Sequence, residues 1–368
     1  MARDRDDDAC PGALAVHQAA DGALVRIRLA GGVITAAQLT ALAHTAEQFG
    51  SPAMELTSRG NIQIRAITDT AAVADAVAAA GLLPSPTHER VRNILASPLA
   101  GRSGGNFDIR PLVRELDGAL CAAPELARLP GRFLFALDDG SGDVAGLLRP
   151  DVGVHAVGPD TFAVILAGRD SGVRIPADAV VPTLLSVAHR FVEIRGTAWR
   201  VSELADASVL LDGAHAGPPY PAVSQPPVGW IAQDDGKVSL GAVVPLGVLQ
   251  ARVAEFLAAV DAPLLITPWR SVLVCDLDEG VADTALRVLA PLGLVFDETS
   301  PWLSVSACTG SPGCDKSLSD VRADAEAALD DGPAGVHRHF VGCPRACGTP
   351  SGAEVLIATG HGYQGRHP

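Results

Sequence analysis

A chain that repeats itself has to fold, in part, as two like units, and this chain repeats at an offset of about 210 residues. The segments "DGALVRIRLAGG" and "AMELTSRGNIQIRAI" and a helical stretch ending "VAAAGLL" return in the same order as "DGKVSLGAVV", "PLLITPWRSVLVCDL" and a stretch ending "LAPLGL". Thr57 corresponds to Thr267, and Gly81-Leu82 to Gly293-Leu294. One such match arises easily by chance, whereas three in order at a nearly constant offset mark an internal duplication.

Local patterns say what is duplicated. "ALVRIRLAGG" alternates apolar and charged residues as a half-buried strand does, with Arg26 and Arg28 on one side. A helix follows, capped by Thr35 and stopped at Gly50. "AMELT" and "NIQIRAIT" read as strands joined by the turn "SRG", and "DTAAVADAVAAAGL" reads as a helix capped by Asp69 with Gly81 past its end. The unit is thus expected to be βαββα. "GPPYPAVSQPPVG", residues 217–229, is a proline-rich linker between the copies. Before it, "GRFLFALDDGSG", "VGVHAVG" and "TFAVILAG" predict strands of another sheet, and "AVVPTLLSVAHRFVEI" predicts a helix with Pro182 in its first turn.

Composition bounds the partners. A formal net charge of −14 argues against general binding of nucleic acid or anionic membranes. No apolar run reaches the roughly 20 residues a bilayer requires. The start "MARDRDDDACPG" lacks the apolar core of a secretory signal, so a cytoplasmic protein is expected, and its aspartates predict a solvated tail. Lys237 and Lys316 are the only lysines, so an arginine here signals function only through its position.

Four of the seven cysteines fall in the last 61 residues, as Cys308, Cys314, Cys343 and Cys347. Disulfides are unexpected in a cytoplasmic chain. Zinc favours C-x2-C pairs, whereas these are C-x5-C and C-x3-C pairs 28 residues apart. Four thiolates in two unequal pairs suit an iron–sulfur cubane, with zinc or unliganded thiols as the alternatives. Cys10, Cys121 and Cys275 stand alone and read as incidental. His337 and His339 could bind a second iron, although two histidines before a buried strand are more often structural.

"ACTGSPGC" followed by "GCPRACGTP" resembles the cysteine signature of the sulfite and nitrite reductase family, and "RIRLAGGVIT", "LTSRGNIQIR", "RNILASPLAG" and "LPGRFLFAL" extend the resemblance over most of the chain. It implies an α+β fold of duplicated ferredoxin-like half-domains plus reductase-type domains that hold a [4Fe-4S] cluster. The units expected are 1–85, a first half-domain; 86–216, a first reductase-type domain; 217–300, the linker and second half-domain; and 301–368, the cysteine segment as a short second reductase-type domain. Cys308, Cys314, Cys343 and Cys347 would hold the cluster. Arg26, Arg28, Arg59, Asn61, Gln63, Arg92, Asn93, Arg132 and Arg270 fall at or beside positions matching the family's contacts to anion or tetrapyrrole, Arg270 at the duplicated counterpart of Arg59.

The departures choose the branch. Where sulfite reductases resembling "LPGRFLF" present two lysines to a small anion, this chain has Arg132 and Leu134. The length and the ending "AEVLIATGHGYQ" look more like the family's oxygen-using branch, the precorrin-3B synthases. That likeness implies a monooxygenase that takes precorrin-3A, dioxygen and electrons, hydroxylates C20 and closes a lactone, with a mononuclear non-haem iron beside the cluster. No G-x-G-x-x-G stretch is present, so a separate electron-donor protein is expected. Two readings stay open beside it: a ferredoxin-dependent sulfite or nitrite reductase containing sirohaem, and a non-catalytic carrier of a cluster or tetrapyrrole. The sequence marks neither the catalytic residues nor the ligands of a mononuclear iron.

Overall fold

The computed structural model describes residues 10–223, 225–331 and 335–366. The aspartate-rich start, residues 1–9, lies outside them. The fold is α+β and contains the duplication. In the first copy the strands His17–Ala19 and Gly22–Ile27 lead to helix Ala36–Phe49, strands Ala53–Leu56 and Ile62–Ile67, and helix Thr70–Ala79. In the second, strands Gly229–Ala232 and Val238–Val243 lead to helix Ala251–Ala258, strands Leu264–Ile266 and Ser271–Leu277, and helix Glu279–Leu289. The caps act as their residue types dictate. Thr35 and Gln38 form a reciprocal capping box, and the Asp69 carboxylate accepts the N–H groups of Ala71 and Ala72.

The repeat holds down to single hydrogen bonds. Thr57 N–H donates to the Asn61 carbonyl and Gly60 N–H to that of Thr57; Thr267, Ser271 and Arg270 repeat the pattern. Arg270 therefore matches Gly60 rather than Arg59, and both are left-handed, with φ of 59° and 65°. Trp269 takes the place of Arg59. This one-residue correction to the expected pairing follows from the turn, which places the left-handed position last.

Two further differences from βαββα are topological. Each copy opens with an extra hairpin strand, and each donates a short strand to the other. Val248–Gln250 of the second copy pairs with Ala53–Leu56 of the first. Val33–Ile34 of the first pairs with Leu264–Ile266 of the second. Each half thus closes its five-stranded sheet with a strand from its twin. Gly32 permits the crossing: at φ 75°, a Cβ there would stand 2.1 Å from the Ile266 carbonyl oxygen. The two sheets share one core, with Ile27, Leu42 and Ile64 packed in the same cluster as Leu240, Leu257 and Val274.

A third sheet runs in the order Arg169–Pro176, Thr161–Leu166, Val152–Gly158, Phe135–Asp138, Ile94–Ala96, the last three mutually parallel. Helices Arg110–Ala122 and Val180–Ile194 pack against it around Phe133, Phe135, Phe162 and Phe191. Leu134, Ala136 and Val144 form a second, separate apolar cluster with Trp269. The proline-rich segment is pinned to the sheet edge where it begins, through Asp170 N–H to Pro218 O and Tyr220 N–H to Gly168 O. The fourth sheet, Val305–Ala307, Arg338–Val341, Glu354–Ala358 and Tyr363–Arg366, carries the cysteines. No helix among the described residues is long and apolar enough to cross a membrane.

Candidate functional site

Val305–Ala307 and Arg338–Val341 are parallel neighbours, so their C-terminal ends open at one edge, where open sheets place ligands. Cys308 directly follows the first strand and Cys343 follows the second by two residues. Cys308 N–H donates to the Phe340 carbonyl at 2.9 Å, and Gly342 N–H points at the Cys308 sulfur, 3.4 Å away. Cys314 comes from a loop gripped from outside, where Arg65 of the first half-domain donates to the Gly313 carbonyl at 2.7 Å. Asp21 holds Arg65 through two bonds of 2.8 Å.

All four cysteines are free thiols. Cys347 is exposed, yet partial desolvation pushes its thiol up, Arg345 opposes this, and the other three cysteines add to the rise. The four are therefore gathered, but not tightly: among the described residues no three of them bring their sulfurs within 4.8 Å of one another. A tetrahedral zinc about 2.3 Å from each sulfur would draw the sulfurs to about 3.8 Å. Four soft thiolates in two unequal pairs at one sheet edge are the donor set that an iron–sulfur cubane takes. The residues fit that group.

His339 is not available for a second iron. Its Nε2–H donates to the Cys347 carbonyl at 3.0 Å and its Nδ1 faces Ser306 Oγ at 2.8 Å. Burial pushes its pKa down to about 3, so the ring is neutral. Asp138, Asp139 and Asp143 form an acidic group elsewhere, but Asp138 is absorbed by N–H groups of Gly140, Gly142, Val144 and Ala145 and by His155. It is a closed turn.

The second part of the site is a set of cations without anions. Arg26 meets the Gln63 amide oxygen. Arg28 meets Asn93 Oδ1 at 3.1 Å and the Pro11 carbonyl at 2.8 Å. Arg59 donates to the carbonyls of Gly131 and Arg132 at 3.2 and 3.0 Å. None of the three makes an ion pair with a carboxylate among the described residues, whereas Arg65, Arg92, Arg102 and Arg200 each do. Burial pushes Arg28 down to about 9, helped by the like charge of Arg26, and Arg59 down to about 10, helped by Arg200. A guanidinium does not give up its proton in a protein, so these shifts express the cost of holding charge without a counter-anion. Among the described residues, Gln233 Oε1 and Arg322 Nε elsewhere have no hydrogen-bond partner, and neither do two buried donors of this site, Arg28 Nη2 and Asn61 Nδ2. Buried polar groups are nearly always satisfied, so this pair points to an acceptor that binds here.

The remaining expected contacts divide. Gln63 is spent between Arg26 and Glu55, and Asn93 between Arg28 and the carbonyls of Arg90, Gly131 and Phe133. Both orient the arginines. Arg92 does not reach the site: it forms a bidentate pair with Asp117 of helix Arg110–Ala122, at 2.7 and 2.6 Å. Arg132 is exposed and lies over the Trp199 ring. Arg270 reaches the cysteine segment instead, donating to the Gly348 carbonyl at 3.0 Å. Sequence reasoning missed Arg65 and Ser306; Arg65 continues the alternation of Asn61 and Gln63 along one strand, whereas nothing in its local pattern marks Ser306.

Residues 17–80 match the family model of the nitrite/sulfite reductase ferredoxin-like half domain. The structure of the Mycobacterium tuberculosis NirA protein superposes with a TM-score of 0.75, at 21% identity, covering 94% of this chain and 74% of that one. The fold is that of the nitrite and sulfite reductases. Among curated proteins, a precorrin-3B synthase from Sinorhizobium sp. is 26% identical over 377 residues, spanning 96% of this chain and 81% of the relative. A ferredoxin–nitrite reductase from Synechococcus elongatus is 27% identical over 390 residues, spanning 90% and 75%. Both relatives are oxidoreductases.

Proposed function

We propose that the protein is a monooxygenase that converts precorrin-3A to precorrin-3B, with Cys308, Cys314, Cys343 and Cys347 holding a [4Fe-4S] cluster. The observation that carries the reading is the contrast between two anion sites. The features of a ring site are present, since Arg26, Arg28 and Arg59 are cationic, make no ion pair with a carboxylate among the described residues and are backed by two donors unsatisfied among them. The small-anion site is reduced. Leu134, where the reductases that this chain resembles would offer a second lysine, is wholly buried in an apolar cluster, which leaves exposed Arg132 alone. A cleft that grips a polycarboxylate ring but hardly a small anion favours the ring as the reactant.

In this reading Arg26, Arg28 and Arg59 bind acetate and propionate arms by charge-assisted hydrogen bonds, and Asn61 Nδ2 donates to the same ligand. Gln63 and Asn93 keep Arg26 and Arg28 from rotating away. A bound cluster supplies electrons one at a time from a separate donor protein. The balance is one dioxygen, two electrons and two protons per ring, with one oxygen atom entering at C20 and the other leaving as water. The likeness to the nitrite reductase supports a second reading in which the ring is resident sirohaem.

Anaerobically purified protein, reconstituted with iron and sulfide and given precorrin-3A, an electron donor and labelled dioxygen, is expected to yield a hydroxylated lactone carrying one labelled atom. Tightly bound sirohaem with sulfite or nitrite turnover, and precorrin-3A unchanged, overturns the synthase in favour of the reductase. Ring binding without turnover of either kind leaves a carrier.

A further inference from the structure

The Cys347 loop is held from two directions by residues of different sheets. His339 lies beside Ser306 in the parallel pair, with both side chains buried. A carbonyl can only accept, so the bond to Cys347 places the His339 proton on Nε2. Its Nδ1 lies 2.8 Å from the Ser306 hydroxyl, and that hydroxyl lies 2.8 Å from His337 Nε2. A buried line of three polar groups therefore backs the bond to the Cys347 peptide.

The next carbonyl along, that of Gly348, is taken by Arg270. This arginine stands in the left-handed position that glycine fills in the other copy, a conformation that is strained for a residue bearing a side chain. A strained arginine has been kept where the twin half uses glycine, and its guanidinium is spent on the cysteine loop. Gly348 is fitted to it, since a Cβ there would stand 2.6 Å from Arg270 Nη2.

We propose that Arg270 and His339 are positioning residues, a two-point clamp on the consecutive carbonyls of Cys347 and Gly348 that presets the fourth thiolate for the cluster. The inference rests on the reading that the four cysteines bind the cubane. The clamp is a feature of symmetry breaking, with one copy using this turn for Arg59 at the ring site and the other using it for the cluster.

The test measures iron release to a chelator from the reconstituted full chain, together with thermal unfolding of the same chain before reconstitution. Arg270→Gly is expected to release iron about tenfold faster, the factor that one ordinary hydrogen bond carries, while raising the unfolding midpoint because the backbone strain is gone. His339→Leu is expected to speed release similarly. His339→Gln, whose amide can donate to Cys347 and accept from Ser306, is expected to keep the parent rate. Unchanged release in both Arg270→Gly and His339→Leu overturns the clamp, as does a Gln variant as leaky as the Leu variant, which would reduce His339 to packing. A parent chain that takes up no iron overturns the cysteine reading itself and the clamp with it.

Discussion

Arg59 and Arg92 look alike in the sequence, each basic within a short polar motif, and the structure separates them by their partners. Arg59 spends its guanidinium on two carbonyls and keeps its charge uncompensated; Arg92 closes on Asp117. Opposite outcomes are expected from removing them. Arg59→Gln should weaken binding of a polycarboxylate tetrapyrrole about ten- to a hundredfold, the worth of a charge-assisted contact, and leave thermal stability unchanged or improved because a half-buried cation without an ion-pair partner among the described residues is lost. Arg92→Met should leave binding intact and cost on the order of 3 kcal/mol in denaturant unfolding, since it strands Asp117 half-buried without its cation. Equal effects of both substitutions on binding would show that the ring site extends to Arg92. Residue type and alternation on a strand were legible in advance. Which arginine already has an anion was not, because Asp117 meets Arg92 only when helix Arg110–Ala122 packs beside it, a tertiary contact that no local pattern carries.

At the scale of elements, the strands and helices of the first copy follow from periodicity and from the caps Thr35 and Asp69, whereas in the second copy neither Gln250 nor Asp278 caps its helix through a side chain. The exchanged strands do not follow from such signals. Val33–Ile34 is two residues long and Val248–Gln250 three, too short to show any period, and they exist because an edge two hundred residues away needs a partner. The chain does leave one trace of the exchange in "AGG". Gly32 needs both its left-handed φ and its missing Cβ, because the Ile266 carbonyl passes where the methyl group would be. Gly32→Ala is therefore expected to destabilise the protein by at least about 2 kcal/mol, adding a backbone clash to the conformational penalty. Gly81→Ala meets nothing and should cost only about 1 kcal/mol, the conformational part alone. Equal losses at the two positions in denaturant titrations would remove the close crossing from the account.

For the whole molecule, the reciprocal strands make the two half-domains one folding unit although a linker and a separate sheet lie between them in sequence. Apolar side chains of both halves fill a single core, and neither five-stranded sheet is complete on its own. The polar links run the same way, since Arg65 of the first copy and Arg270 of the second both grip the cysteine segment. Under the proposed reading, this arrangement would hold a ring beside the first copy and a cluster at the last sheet on one rigid frame. It also predicts how the molecule comes apart. A chain opened between Ala222 and Val223 leaves the N-terminal fragment with its donated strand Val33–Ile34 but without Val248–Gln250, so half of the core is lost, the Ala53–Leu56 amides that face Ile62–Ile67 keep their partner, and those that faced Val248–Gln250 lose theirs. In hydrogen exchange these amides should be unprotected in the isolated fragment and regain protection by about a hundredfold or more when the C-terminal fragment is added. Full protection in the isolated fragment would show that the first half-domain closes alone and that the exchanged strands are ornament rather than the joint.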